Sequence, residues 1–143
     1  QRMKKLMTMG LVAGIVATLA SCSDDSLNGI TTAEAESKSP GSWKVSYYFD
    51  NSDGVSHELD AYTFEIATDG SLTVSGGGAT YTGTWVVKNS DDDPNYDTEI
   101  DFSIMGNSDM DKIDGSWLMG TINDTKMELL DDSGSEELHL SRQ

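Results

Sequence analysis

From Gly41 onward apolar and polar positions alternate along the chain. Trp43, Val45, Tyr47 and Phe49 are separated by Lys44, Ser46, Tyr48 and Asp50, the period of two expected of a strand with one buried face. The same alternation returns at Tyr62, Phe64 and Ile66, and at Leu72 and Val74 after Asp69-Gly70, a strong hairpin signal. It continues, beyond Gly76-Gly77-Gly78, at Tyr81, Gly83, Trp85 and Val87, then at Ile100, Phe102 and Ile104. Three more segments follow: Ile113 to Met119, Met127 to Leu129, and Leu138 to Leu140. No segment has convincing helical spacing. The pattern predicts an all-β domain of eight antiparallel strands joined mostly by short turns, so that neighbours in sequence are neighbours in space. Each strand has one apolar face, and rolling the sheet into an up-and-down barrel hides that face and removes free edges. A two-sheet sandwich competes, but it usually needs longer crossing connections. Gly83, in mid-strand, suits the bend of a barrel corner.

The N-terminus breaks the pattern. Arg2, Lys4 and Lys5 precede an uncharged apolar stretch, Leu6 to Ala20, and a single cysteine closes Leu19-Ala20-Ser21-Cys22. Fifteen helical residues would span about 22 Å, short of a hydrocarbon core of about 30 Å, so a permanent span is not expected. The segment reads as a secretory signal. Residues 19–22 resemble the bacterial lipobox at every position, which implies residues 1–22 as a lipoprotein signal and acyl chains on Cys22. With one thiol no internal disulfide can form. Ser23-Asp24-Asp25 resembles the acidic export tag of Bacteroidota-type surface lipoproteins. The resemblance implies a chain lipid-anchored in the outer membrane and exposed at the cell surface. Residues 23–40, rich in Ser, Thr, Ala and Glu, are expected as a flexible tether, leaving residues 41–143 for one domain.

Gly-x-Trp occurs at Gly41-Ser42-Trp43, Gly83-Thr84-Trp85 and Gly115-Ser116-Trp117, without a fixed period. The first of these opens the domain, and Leu138-x-Leu140-x-Arg142 closes it. Together they resemble lipocalins, whose first strand begins Gly-x-Trp and whose last ends in a basic residue over that Trp. The resemblance is to the small lipocalin-like domains of bacterial lipoproteins and covers residues 41–143. It implies that Arg142 stacks on Trp43 and closes the barrel, a cation–π contact of about 0.5–2 kcal/mol. The Thr-Asp-Tyr turn motif, the disulfide and the helix after the last strand are missing, so shape carries over better than transport does. An eight-stranded barrel is wide enough either to be filled by side chains or to hold one small ligand. Tyr47, Tyr62, Tyr81, Trp85 and Trp117 are the candidate interior ligand contacts.

Charge narrows the partners. The whole chain has 9 basic and 25 acidic residues, a formal charge of −16. Removing residues 1–21 takes away three basic and no acidic residues, which makes it −19. Nucleic-acid binding needs the opposite sign and is excluded. An anionic bilayer would also repel the domain, so the lipid on Cys22 must hold it.

No catalytic motif stands out. His57 and His139 are the only histidines and have no metal-ligand spacing; there is no nucleophile elbow, phosphate loop or catalytic cysteine. The chain is read as a non-enzyme without a cofactor. Oxygen ligands at Asp91, Asp93, Asn95, Asp97, Glu99 and Asp101 alternate as calcium loops do, but Tyr96 stands where an EF-hand needs glycine and Pro94 stiffens the loop. A solvated acidic loop is the default, and no metal site is assigned. Two functional readings remain: a barrel that binds a small or hydrophobic molecule, and a side-chain-filled barrel that acts through its surface, with calcium stabilisation as a variant of the second.

Overall fold

The computed structural model describes residues 29–90 and 95–143. Nine strands and two short helices occur there: α1 (Thr32–Lys38), β1 (Gly41–Asp50), β2 (Gly54–Ser56), β3 (Thr63–Ile66), β4 (Ser71–Gly76), β5 (Ala79–Asn89), β6 (Thr98–Ile104), α2 (Ser108–Ile113), β7 (Gly115–Ile122), β8 (Lys126–Asp131) and β9 (Glu136–Arg142). Every pairing is antiparallel and follows chain order from β3 to β9; β9 then returns to β1 and closes a barrel. Eight strands make the wall, as the alternation predicts. The ninth, β2, pairs only with Tyr48–Asp50 at the far end of β1, on the edge whose near end, Gly41–Lys44, pairs with β3.

The turns follow backbone chemistry. Gly77 and Gly78, at φ +62° and +84°, form the two-residue turn between β4 and β5. The hairpin expected at Asp69-Gly70 is present as a four-residue loop, residues 67–70, with Gly70 at φ +93°. At Gly83 the β6 backbone approaches so closely that a Cβ would strike the Ser103 carbonyl oxygen, which is why no side chain is tolerated there.

One contiguous core fills the barrel. Trp43, Phe64, Leu72, Val74, Ile100, Met119, Met127, Leu129, Leu138 and Leu140 are all fully buried, each contributing about 1.5–3 kcal/mol by leaving water. Phe64 and Phe102 meet edge to face at 5.9 Å between ring centres.

Three expectations need correction. Residues 29–40 are not free tether: Thr32–Lys38 is helical, with Ile30 and Ala35 buried against the barrel. Thr31 caps α1 by accepting from the Glu34 amide at 3.1 Å, half of a Thr-x-x-Glu capping box. The expectation of no helical segment fails again at α2: Asn107 Oδ1 accepts from the amides of Asp109 and Met110, and Met110 and Ile113, three apart, are buried. Ile113 therefore ends a helix and does not begin a strand.

Candidate functional site

The two ends of the barrel are built differently. At the α1 end, Arg142 lies with its guanidinium carbon 4.1 Å from the centre of the Trp43 ring, and the two residues pair across the β1–β9 seam. Its NH1 donates to the Pro40 carbonyl (3.0 Å), NH2 to the Lys38 carbonyl (2.6 Å) and Nε to the Asp124 carbonyl (2.9 Å). The guanidinium thus closes the sheet and also caps α1, whose last carbonyls carry partial negative charge. Trp43 Nε1 donates to the Ser39 carbonyl at 2.8 Å, and Thr98 Oγ1 to the Ile30 carbonyl at 2.7 Å. Sequence reasoning placed Trp43 and Arg142 correctly and missed the helix they hold.

At the other end, the mouth, α2 folds in from the β6–β7 connection. Tyr62 Oη donates to Asp109 (2.8 Å), and Lys112 Nζ lies 3.3 Å from Glu58 and 3.9 Å from Asp109. These bonds join α2 to the β2–β3 connection. Beside α2 lies an open cleft of about 500 Å³, floored by Tyr48 and Trp117 and rimmed by Asp50, Asp111, Asp114, Asp131, Asp132 and Glu136, with Lys112 as its one basic residue. Its volume lies within the range of small-molecule sites.

Tyr48, and not Tyr47, faces inward because the register shifts between Val45 and Tyr47. A β-bulge there puts two β1 residues opposite one on β9 and reverses the alternation. Tyr47 is an outer-wall residue whose ring packs on His139 at 4.8 Å, so its assignment as an interior contact is overturned. Tyr48 is buried and donates to Glu136 at 2.7 Å. Burial, and then that carboxylate, push its phenol far above the ordinary tyrosine range.

The other four aromatic candidates keep the inward phase but do not converge on one chamber. Tyr62 is buried under α2. On its hydroxyl the Asn107 amide pulls the pKa down, but the Asp109 bond, burial and Asp109's charge together win, and the net direction is up. Tyr81 and Trp85 are partly buried against the core, and Trp85 Nε1 donates to the Ala67 carbonyl at 2.7 Å. Trp117, buried, donates to the Ile113 carbonyl at 2.8 Å; it alone of the candidates borders the cleft. The rim carboxylates carried no motif. They become a group only when β1, β8 and β9 meet α2 and the connection that follows it.

On the outer wall, Lys88 Nζ reaches Asp101 at 2.6 Å and Glu99 at 3.7 Å. Partial burial, and then the charge of Asp101, raise the Glu99 carboxyl above its ordinary range, against the pull of Lys88. Glu99 and Asp101 thus belong to the outward face of β6. Asp91 and Asp93, like Cys22 and the signal segment, lie outside the described residues. Among the described residues no cluster of three or more His, Cys, Asp or Glu is placed to hold a metal ion, and no helix is long and apolar enough to cross a membrane. His57 is exposed and pairs with Asp60 at 2.8 Å. His139 lies between Glu137 and Glu128 under Tyr47.

A smaller cleft of about 220 Å³ lies on the outer wall between Tyr96, Leu118, Leu130 and the β8–β9 turn. Leu118 points outward and is nonetheless 2 % exposed.

No family model matches the chain, and no curated protein matches it. Two crystal structures do. A lipocalin-like protein from Bacteroides uniformis is 16% identical with a TM-score of 0.53, over 73% of this chain and 97% of that one. A DUF4847 family protein from Bacteroides vulgatus is 10% identical with a TM-score of 0.55, over 76% of this chain and 96% of that one. At these identities the likeness is one of fold, and it establishes the domain as a closed, antiparallel, lipocalin-like β-barrel.

Proposed function

We propose that the chain is a non-enzymatic binding module, held at the outer membrane by acyl chains on Cys22 and facing the cell exterior, that takes a small ligand at the acidic mouth. The observation that carries this reading is the contrast between a barrel axis filled by fully buried side chains and an open cleft of about 500 Å³ beside α2. An apolar ligand in the interior would have to displace Trp43, Phe64 and Met119 from a close-packed core, at a cost of several kcal/mol. The mouth requires no such displacement. Six carboxylates against one lysine favour a ligand with one or more ammonium or guanidinium groups over a fatty acid. Buried aromatic floors support the stem of such a ligand.

Titration with spermine and with an oligolysine peptide at low salt, followed by Trp fluorescence and by melting temperature, tests the reading. Both probes are expected to raise the melting temperature, and the Asp111→Asn/Asp132→Asn double variant is expected to lose the shift. Neither carboxylate is needed to hold the backbone, so the variant should fold. Retention of an alkyl chain in native mass spectrometry, with no response to either cation, would overturn the mouth and restore the interior as the site.

A further inference from the structure

We infer that the α1 end of the barrel faces the bilayer and that the acidic mouth opens away from it, so the ligand arrives from the aqueous side and is not drawn out of the membrane that holds the anchor. The inference rests on the reading of Cys22 as the lipidated residue and deepens the proposed function by fixing the source of the ligand.

The first ground is reach. The chain is fixed to the barrel at Ile30, buried and bonded through its carbonyl to Thr98. Seven residues, 23–29, separate it from Cys22. Whatever their conformation, eight Cα steps cover at most about 28 Å. Ile30 lies at the α1 end, beside Thr98 where β6 begins. The mouth lies at the other end of the strands. An eleven-residue strand such as β5 is about 36 Å long, and a tilt of about 40° leaves about 27 Å along the barrel axis. To turn the mouth toward the lipid, the connection would have to run the whole height of the wall. It would then only just draw level with the rim, with no length left to enter the headgroups. With the α1 end down, the same connection is ample.

The second ground is charge, and it is independent of the first. Six basic residues follow Cys22. Five of them, Lys38, Lys44, Lys88, Lys126 and Arg142, sit at or near the strand ends and helix on the α1 side. Only Lys112 lies at the mouth. Both ends carry acids, but the mouth concentrates carboxylates with almost no compensation. An anionic surface would repel the mouth more strongly than the α1 end, so the molecule's own field favours the orientation that the connection allows.

The full lipidated chain, reconstituted in phosphatidylethanolamine/phosphatidylglycerol vesicles, tests this. A fluorophore is placed on a second cysteine in Ser37→Cys, exposed on α1, or in Ser133→Cys, exposed in the β8–β9 turn at the mouth. Quenching by headgroup-spin-labelled lipid is then measured alongside flotation. The expected result is quenching several-fold stronger at position 37 than at position 133 in vesicles that float with their protein. Equal quenching, or stronger quenching at 133, in floating material would overturn the orientation and leave the anchor standing. Protein that fails to float would overturn the anchor itself, and the orientation with it. Inserting about 20 Gly/Ser residues after Ser26 is expected to narrow the difference, because the limit on reach is then lifted.

Discussion

The α1 end and the mouth are made by the same eight strands, yet their polar groups are treated in opposite ways. At the α1 end one cation, Arg142, meets three backbone carbonyls and an aromatic face. At the mouth six carboxylates share the lining of the cleft with one ammonium group, whose own ion pairs are with Glu58 and Asp109. The first arrangement satisfies donors and acceptors that closure of the barrel would otherwise strand. The second leaves repulsion in place, which lowers stability and persists where a partner of opposite charge relieves it. One end holds the molecule together, and the other, in the function proposed, is held ready for a cation.

The comparison breaks most visibly if the α1 end proves dispensable. Trp43→Ala removes a fully buried indole from the seam and is expected to cost about 3–5 kcal/mol in denaturant unfolding. Arg142→Ala strands the Lys38 and Pro40 carbonyls and should cost about 2 kcal/mol. Arg142→Lys is expected to recover only part of that, because an ammonium cannot bridge three carbonyls and lie flat on a ring. A change below 0.5 kcal/mol (roughly the noise of a surface substitution) in either alanine variant would remove the distinction between the ends.

The bulge gives a sharper comparison within one dipeptide. Tyr48→Phe loses the bond to Glu136 and should cost about 1 kcal/mol. Tyr47→Phe, on the outer wall, should leave the unfolding midpoint unchanged; a reversed order would show that the alternation runs through Ser46 without a break.

At the mouth, Asp111→Asn/Asp132→Asn is expected to raise the melting temperature slightly at low salt, by the equivalent of about 0.5 kcal/mol, with the gain fading by 0.5 M NaCl. The smallest effect concerns Glu99. Its folded-state pKa is raised, so the folded protein binds the proton more tightly than the unfolded chain does. Ionisation of Glu99 therefore lowers stability as pH rises from its ordinary range through the raised value, and protonation restores it. Glu99→Gln should be slightly more stable than the parent at pH 7.5, with the difference gone at pH 4. A loss of stability at pH 7.5 would show that the Lys88 contact outweighs burial.

The barrel was legible because period-two alternation runs through most of the wall, broken by register shifts only in β1 and β7, and glycines mark several of the turns. The closing pair, Trp43 and Arg142, was legible by resemblance. What escaped has physical reasons. Tyr47 and Tyr48 are both aromatic, so nothing in the pattern betrays a bulge that exchanges their faces. Helix α1 is seven residues long, below the length at which periodicity speaks, although Thr31-x-x-Glu34 carried a capping signal that could have found it. Helix α2 hides its two buried residues, Met110 and Ile113, among acids that read as a turn. The mouth could not be seen at all, since its carboxylates come from four elements and two connections and each alone is an ordinary surface acid.

The pairing of β1 with β9 also sets a timetable. Arg142 meets Pro40 across 102 positions and Lys38 across 104. Almost the whole domain must therefore be on hand before the first strand finds its last neighbour, and contacts of such long range make folding slow. A chain threaded N-terminus first through a translocon would keep its opening strand unsatisfied until nearly the end of the passage. For a chain exported as proposed, closure would thus be postponed to the far side of the membrane.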